Sequence, residues 1–367
     1  MRILWLSWKD IQHPQAGGAE VVASELGKRL VRAGHELIFV TAGYPGAEPK
    51  TVIDGYTVIR VGGRFSVYWQ AYRYVKRHLA DWPEFVIEEI NTVPFCSRLY
   101  LRHKPRLLFF HMLCRKIWFY QLGLPASLAG YVLEPLYLKF LSGERAIAMS
   151  VSTKLDLVRY GFRPKNIAVI SEGIQIEPMS KLMPNIKHDK PTIVSLGSFR
   201  PMKRTLDQIR AFELAKAELP ELQLKIAGDG RGSYGKKVLA AIANSPFKND
   251  IEYFGRVSAT EKSHLLRKAH IIMVTSIKEG WGLTVTEAAS QGTPAAVYNV
   301  DGLRDSVQNG KTGAVCSRNT PAHLAANIVA LLSDSARYQM MQQNAWEWSK
   351  HINFETSYRQ FRKEVRV

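Results

Sequence analysis

Short apolar runs of four to six residues alternate with stretches of helical period along nearly the whole chain, and this alternation excludes most folds. Runs at 2–7, 37–42, 56–61, 85–89 and 107–111 are interleaved with helical patterns at 18–33 and 67–80. Strands that follow one another through helices must pair in parallel and lie beneath their crossovers. Gly34 follows the first helical pattern where a left-handed cap is wanted. After Pro191 a second series begins, with runs at 192–196, 222–227, 251–254, 271–275 and 295–298. Between the two series, residues 177–190 are polar, contain proline and lack a period, which reads as a linker. The expected organisation is therefore an α/β domain over 1–176, the linker, and a second α/β domain over 191–346. A length of 367 residues suits two such domains. Ligands of open α/β sheets bind beyond the carboxyl ends of the strands, so a cleft between the domains is the expected site.

Composition narrows the class. Apolar residues make up 46% and charged residues 22%, values of a folded globular chain. The three cysteines, Cys96, Cys114 and Cys316, are too widely spaced for a disulfide framework or a metal cluster, which fits a reducing cytoplasm. The opening apolar run meets Lys9 and Asp10 at once and reads as a first strand rather than a signal peptide. The uncharged stretch 117–133 contains Gly123, Pro125 and Gly130, which a spanning helix would rarely combine, and is expected to be buried or interfacial. The net charge of +18 is spread along the chain: residues 1–180 hold 23 Lys and Arg against 15 Asp and Glu, the remainder 27 against 17. No zinc spacing, aromatic RNA-binding signature or helix-turn-helix pattern accompanies it, so nucleic acid is not an expected partner. The excess charge favours anionic partners such as a diphosphate or anionic lipid.

The strongest motif is EGWGLTVTEAASQGTP, residues 279–294, directly after the run 271–275. A strand, a glycine loop and a helix start are packed together here. Gly280 and Gly282 allow close backbone approach, and backbone N–H groups from Gly280 through Trp281, Leu283 and Thr284 would face an anion at the helix N-terminus. Glu279 and Glu287, with seven residues between them, could each accept hydrogen bonds from a vicinal diol. Taken alone, the same residues could form a glycine turn with one capping and one surface glutamate. A second motif, SLGSFRPMKR at 195–204, ends an apolar strand in a glycine and then aims Arg200 and Lys203 beyond it. His111 ends the run LLFFHML, where either a satisfied core imidazole or a site residue fits.

The 279–294 segment resembles the signature E-G-[FW]-G-L-x-x-x-E-A-x-x-x-G-x-P of the retaining glycosyltransferases of family 4. The resemblance implies an α/β chain of the GT-B fold, two Rossmann-like domains with parallel sheets facing across a cleft. It further implies transfer of a hexose from a nucleotide sugar, with UDP-glucose or another UDP-hexose as the default donor. Glu279 would contact the donor hexose and Glu287 the ribose hydroxyls. Lys203 matches the family's phosphate-binding lysine. Ser198 stands where the family usually has arginine, and Arg200 is expected to replace the missing guanidinium. His111 would lie near the donor sugar and its diphosphate, and Gly17 and Gly18 would form the loop beside the diphosphate. Phe254–Val257, with Gly255 and Arg256, would meet the nucleobase, and Gly228 the donor. The tail 347–367 would cross back onto the first domain.

Cations and backbone donors at such a site stabilise charge on a leaving phosphate, so no metal is required, and the chain holds no Asp-x-Asp motif. The acceptor class expected is a glycan or a lipid-linked sugar in polysaccharide or glycoconjugate assembly. Tyr68, Tyr72, Val75 and Leu79 recur at helical spacing with Arg73, Lys76 and Arg77 between them, which fits either a helix packed on the sheet or one lying on an anionic membrane. The expected location is cytoplasmic, either free or peripheral on the inner face of the plasma membrane. A nonenzymatic sugar-nucleotide sensor on the same fold is the alternative.

Overall fold

The apolar runs form the interior strands of two parallel sheets, one in each of two units. The computed structural model describes residues 1–183 and 186–366. The first unit comprises Met1–Gly173 together with the chain from Phe354 onward, and the second comprises Ile174–Asn353.

In the first unit the strands are β1 (Arg2–Leu6), β2 (Glu36–Thr41), β3 (Lys50–Ile53), β4 (Tyr56–Arg60), β5 (Phe85–Ile90), β6 (Arg106–Phe110), β7 (Ala146–Ala148) and β8 (Ile167–Val169). Their order is β3-β4-β2-β1-β5-β6-β7-β8, parallel except for β3 on β4. The chain walks outward from β1 in one direction and restarts at β5 on the other side, which places a topological switch point between β1 and β5. The helix Gly18–Arg32 buries Val22, Ala23, Leu26 and Leu30 against this sheet. Gly34, with φ +86°, ends it, and His35 N donates to Leu30 O at 3.1 Å, closing the left-handed cap. Trp5 at the sheet centre stacks on Phe39 at 5.0 Å and on Phe361 at 5.7 Å. Phe361 lies on the helix Phe354–Val365, so the chain's end completes the first core.

The second sheet contains β9 (Thr192–Leu196), β10 (Gln223–Ala227), β11 (Ile251–Tyr253), β12 (Ile271–Val274), β13 (Ala295–Val297) and β14 (Gly313–Val315). Its order is β11-β10-β9-β12-β13-β14, all parallel, with the switch point between β9 and β12. The rule for open α/β sheets therefore points to the carboxyl ends of β9 and β12 as the expected ligand side of this unit.

Four strands, β3, β7, β8 and β14, lie outside the expected runs: β3, β8 and β14 are sheet-edge strands whose residues are only partly buried, and β7 has three residues. The expected linker also differs from the structure. Ile174, Ile176 and Met179 are buried, Met179 N donates to Ser290 O at 3.0 Å, and Trp346 Nε1 donates to Met179 O at 2.8 Å. This part of 177–190 packs into the second unit, while 184 and 185 lie outside the described residues. The helix Ser335–Ser349 also stays with the second unit, so the return begins at Phe354 rather than at 347.

Candidate active site

In the second unit the loops after β9 and β12 are tied to each other by the Thr275 hydroxyl and by one backbone hydrogen bond. Thr275 Oγ1 donates to the carbonyls of Lys203 and Arg204 at 2.9 and 3.0 Å, and Ile277 N donates to Met202 O at 2.8 Å. Arg204, at φ +51°, ends the tight turn Pro201–Lys203 in the left-handed region. These contacts hold Lys203 Nζ against Glu279 Oε1, and Ser276 Oγ donates to the same oxygen. Glu279 N donates to Asp301 O at 3.0 Å, and Gly302, at φ +78°, lies so close that a Cβ there would sit 2.4 Å from Glu279 O. The carboxylate is thus fixed from both sides while remaining partly exposed.

The glycine loop then enters the helix Leu283–Ser290, with Gly282 as its cap. A Cβ on Gly282 would meet Ser306 Oγ at 2.2 Å, so this close approach requires glycine. The first-turn amides of Leu283 and Thr284 have no acceptor within a helix, which leaves them suited to an anion. Glu287 lies on the buried face at 5% exposure, and Lys262 Nζ donates to its Oε1 at 2.6 Å. Burial pushes the Glu287 carboxyl above its ordinary range, and Lys262 opposes that shift. Trp281 buries its indole Nε1 without a hydrogen-bond partner among the described residues.

Glycines bring the ends of β9, β10 and β11 together. Gly197 N donates to Ala227 O at 3.1 Å and Gly228 N to Gly255 O at 2.8 Å, with Gly255 at φ +67°. Beside them Arg256, Asp229, Arg231, Lys236 and Tyr253 line an open pocket of about 510 Å³. Arg200 is exposed, and its Nε donates to Ser198 Oγ at 3.0 Å, so it bends back to the position that lacks the family arginine.

Gly17, Gly18 and His111 belong to the first unit. Gly17 N donates to Glu20 Oε2 at 2.7 Å, and Lys9 Nζ lies 3.3 Å from Glu20 Oε1, so a carboxylate of the chain already caps this helix. His111 is buried at the end of β6, its Nε2 donating to Glu89 Oε1 at 3.1 Å and its Nδ1 to Glu172 Oε1 at 3.3 Å. Burial would push the imidazole down, but the hydrogen bonds to Glu172 and Glu89 and their charges outweigh it and hold it protonated, with a pKa of about 10. Glu89 also accepts from Trp5 Nε1 and Asn91 Nδ2, each at 3.1 Å.

Residues 16–178 match the family described as Glycosyltransferase Family 4, and residues 181–348 match Glycosyl transferases group 1. The chain is a family 4-like glycosyltransferase of the GT-B fold. It is 21% identical to the N-acetyl-alpha-D-glucosaminyl L-malate synthase of Bacillus anthracis, over 96% of this chain and 92% of that one. Among solved structures it is similar to a sucrose-phosphate synthase from Thermosynechococcus elongatus, with a TM-score of 0.82 and 19% identity over 100% of this chain and 98% of that one. It is also similar to Anabaena HepE in complex with UDP and glucose, with a TM-score of 0.75 and 16% identity over 100% and 99%.

Within this glycosyltransferase, Glu279, Lys203, Gly280, Trp281, Gly282, Leu283, Thr284 and Glu287 fall on one continuous loop and helix plus the turn pinned to it. Sequence reasoning missed Ser276, Lys262, Gly302 and Ser306 around that loop, and Glu89 and Glu172 around His111. Lys262 follows a capping box, Ser258 with Glu261, which marks its helix but not the direction of its side chain.

Proposed function

We propose that the glycosyltransferase is a retaining hexosyltransferase that takes a UDP-sugar, UDP-glucose foremost, and delivers the hexose to a glycan or lipid-linked acceptor at the inner face of the membrane. The observation that carries this reading is the pair of carboxylates, Glu279 and Glu287, each matched with its own lysine on either side of a glycine loop at a sheet switch point. Glu279 would bind hexose hydroxyls and Glu287 the ribose diol. Lys203 and the first-turn amides would take the phosphates. When the C1–O bond to the phosphate breaks, negative charge grows on that phosphate, and prepositioned cations and N–H groups stabilise it more than they stabilise the bound donor. The acceptor oxygen then bonds to C1 on the same face, its proton passing to the departing phosphate. The bound UDP and glucose of the HepE structure support the donor class. No metal enters this scheme.

A thermal-shift panel of nucleotide sugars, followed by nucleotide release with and without EDTA, tests the reading. UDP-glucose should stabilise the protein most and release UDP slowly without acceptor, with EDTA changing nothing. Stabilisation by a purine-nucleotide sugar alone, or binding with no release under any condition, would reject it.

A further inference from the structure

The helix Ala126–Leu141 carries its chemistry inside out. Its inward stripe is Ser127, Glu134, Leu138 and Leu141. Glu134, 1% exposed, accepts from Cys114 N at 2.8 Å, Arg115 N at 2.7 Å and Trp118 Nε1 at 2.9 Å. The outward face, with the turn before it, presents Leu124, Leu128, Val132, Leu133, Leu136 and Phe140, between 44% and 77% exposed. A helix of a soluble domain turns its apolar stripe to the core and its charges outward, and an exposed apolar face of this extent marks an interaction site.

We infer that this face inserts into the interfacial layer of an anionic lipid bilayer; the inference deepens the membrane partner of the proposed function by naming the surface. Charge selects this occupant. Residues 90–133 contain six Lys and Arg and no Asp or Glu, and the charged residue on the helix's exposed side is Lys139. The next carboxylate along the chain, Glu144, already pairs with Arg98 and Arg106. Arg98 donates to Phe140 O at 2.8 Å with its guanidinium over the Phe140 ring, so Arg98 and the exposed Lys139 border the apolar patch at this end. From there Leu99 and Tyr100 lead to Tyr72, 5.2 Å from Tyr100, on the helix Val67–His78, which adds exposed Trp69 and the cations Arg73, Lys76 and Arg77. A cationic rim around an apolar centre fits anionic headgroups over acyl chains. A second copy of the chain would set like charges against each other across a symmetric contact.

The helix Val67–His78, which the sequence offered as the membrane element, buries Val67, Ala71 and Val75 against its own sheet and contributes mainly charge. Insertion falls to the uncharged stretch that precedes Glu134 and to the turns after it.

Co-sedimentation with phosphatidylglycerol–phosphatidylcholine vesicles tests this, using the whole chain and the double variant Leu128→Asp/Leu136→Asp. Both sites are exposed, so the variant should fold with an unchanged Tm. Its vesicle partitioning should fall by about tenfold or more per leucine, whereas wild-type binding should weaken but persist at about 0.5 M NaCl. Equal partitioning of variant and wild type, or wild-type binding abolished by salt alone, would overturn the inference. So would a lipid-free dimer that the variant dissolves. UDP release without lipid should be the same in both proteins; its loss in both would count against the proposed reaction and leave the lipid result standing.

Discussion

Lys203 and Glu279, 76 residues apart, form an ion pair at the carboxyl ends of β9 and β12, and Ser276 donates to the same carboxylate oxygen. The ammonium therefore stands beside the carboxylate proposed to bind the donor hexose. Lys203→Ala should lower kcat/KM for UDP release by about 10²–10³, the cost of losing one prepositioned charge donor. Stability should change little, because the pair is partly exposed. A stopped assay of UDP release alongside Tm reads both quantities.

Glu287 is buried with Lys262 and has its pKa raised by that burial. The proposed diol contact needs the ionised form, so donor affinity should fall with decreasing pH at an inflection above the ordinary carboxyl value of 4.5. Removing the opposing cation with Lys262→Met should move the inflection further up. The KM for donor measured between about pH 5 and pH 8 checks this.

His111 is held between Glu89 and Glu172 with a folded pKa of about 10 against an ordinary 6.5. Because the folded value is the higher one, its stabilisation is complete below pH 6.5 and is lost as pH rises through 10. His111→Gln should flatten the fall of Tm over that window. It should also cost about 3–5 kcal/mol at neutral pH, since two buried carboxylates lose their shared cation.

Gly302→Ala should lower activity beyond its effect on stability. The left-handed φ and the 2.4 Å approach to Glu279 O mean that the new methyl pushes directly on the segment carrying the carboxylate. A stability loss of about 1–3 kcal/mol by chemical denaturation is expected, with kcat reduced more than KM is raised.

The fold was legible where apolar runs were long. Strands β1, β5 and β6 and the helix Gly18–Arg32 stand out because each buries a continuous row or stripe. The strands β7, β8 and β14, of three residues each, carry no such signal. The site was legible along the chain and not across it. Glu279 and Glu287 share one motif, but Lys262 reaches Glu287 from 25 residues upstream and Glu172 reaches His111 from 61 residues downstream. Such pairings depend on which helix packs where, and local spacing does not encode that. The exposed apolar face of Ala126–Leu141 shows the same limit: its composition is plain in sequence, but which side carries Glu134 inward is decided by the amides of Cys114 and Arg115.

Isothermal titration of UDP and UDP-glucose into wild type, Glu279→Gln and Glu287→Gln separates the two sugar contacts. Glu287→Gln should weaken both ligands equally, by about 10-fold to 100-fold for a lost charged hydrogen bond. Glu279→Gln should weaken UDP-glucose and leave UDP unchanged. Unaltered UDP affinity in Glu287→Gln, or equal losses for both ligands in Glu279→Gln, would contradict a single donor gripped ribose at one carboxylate and hexose at the other.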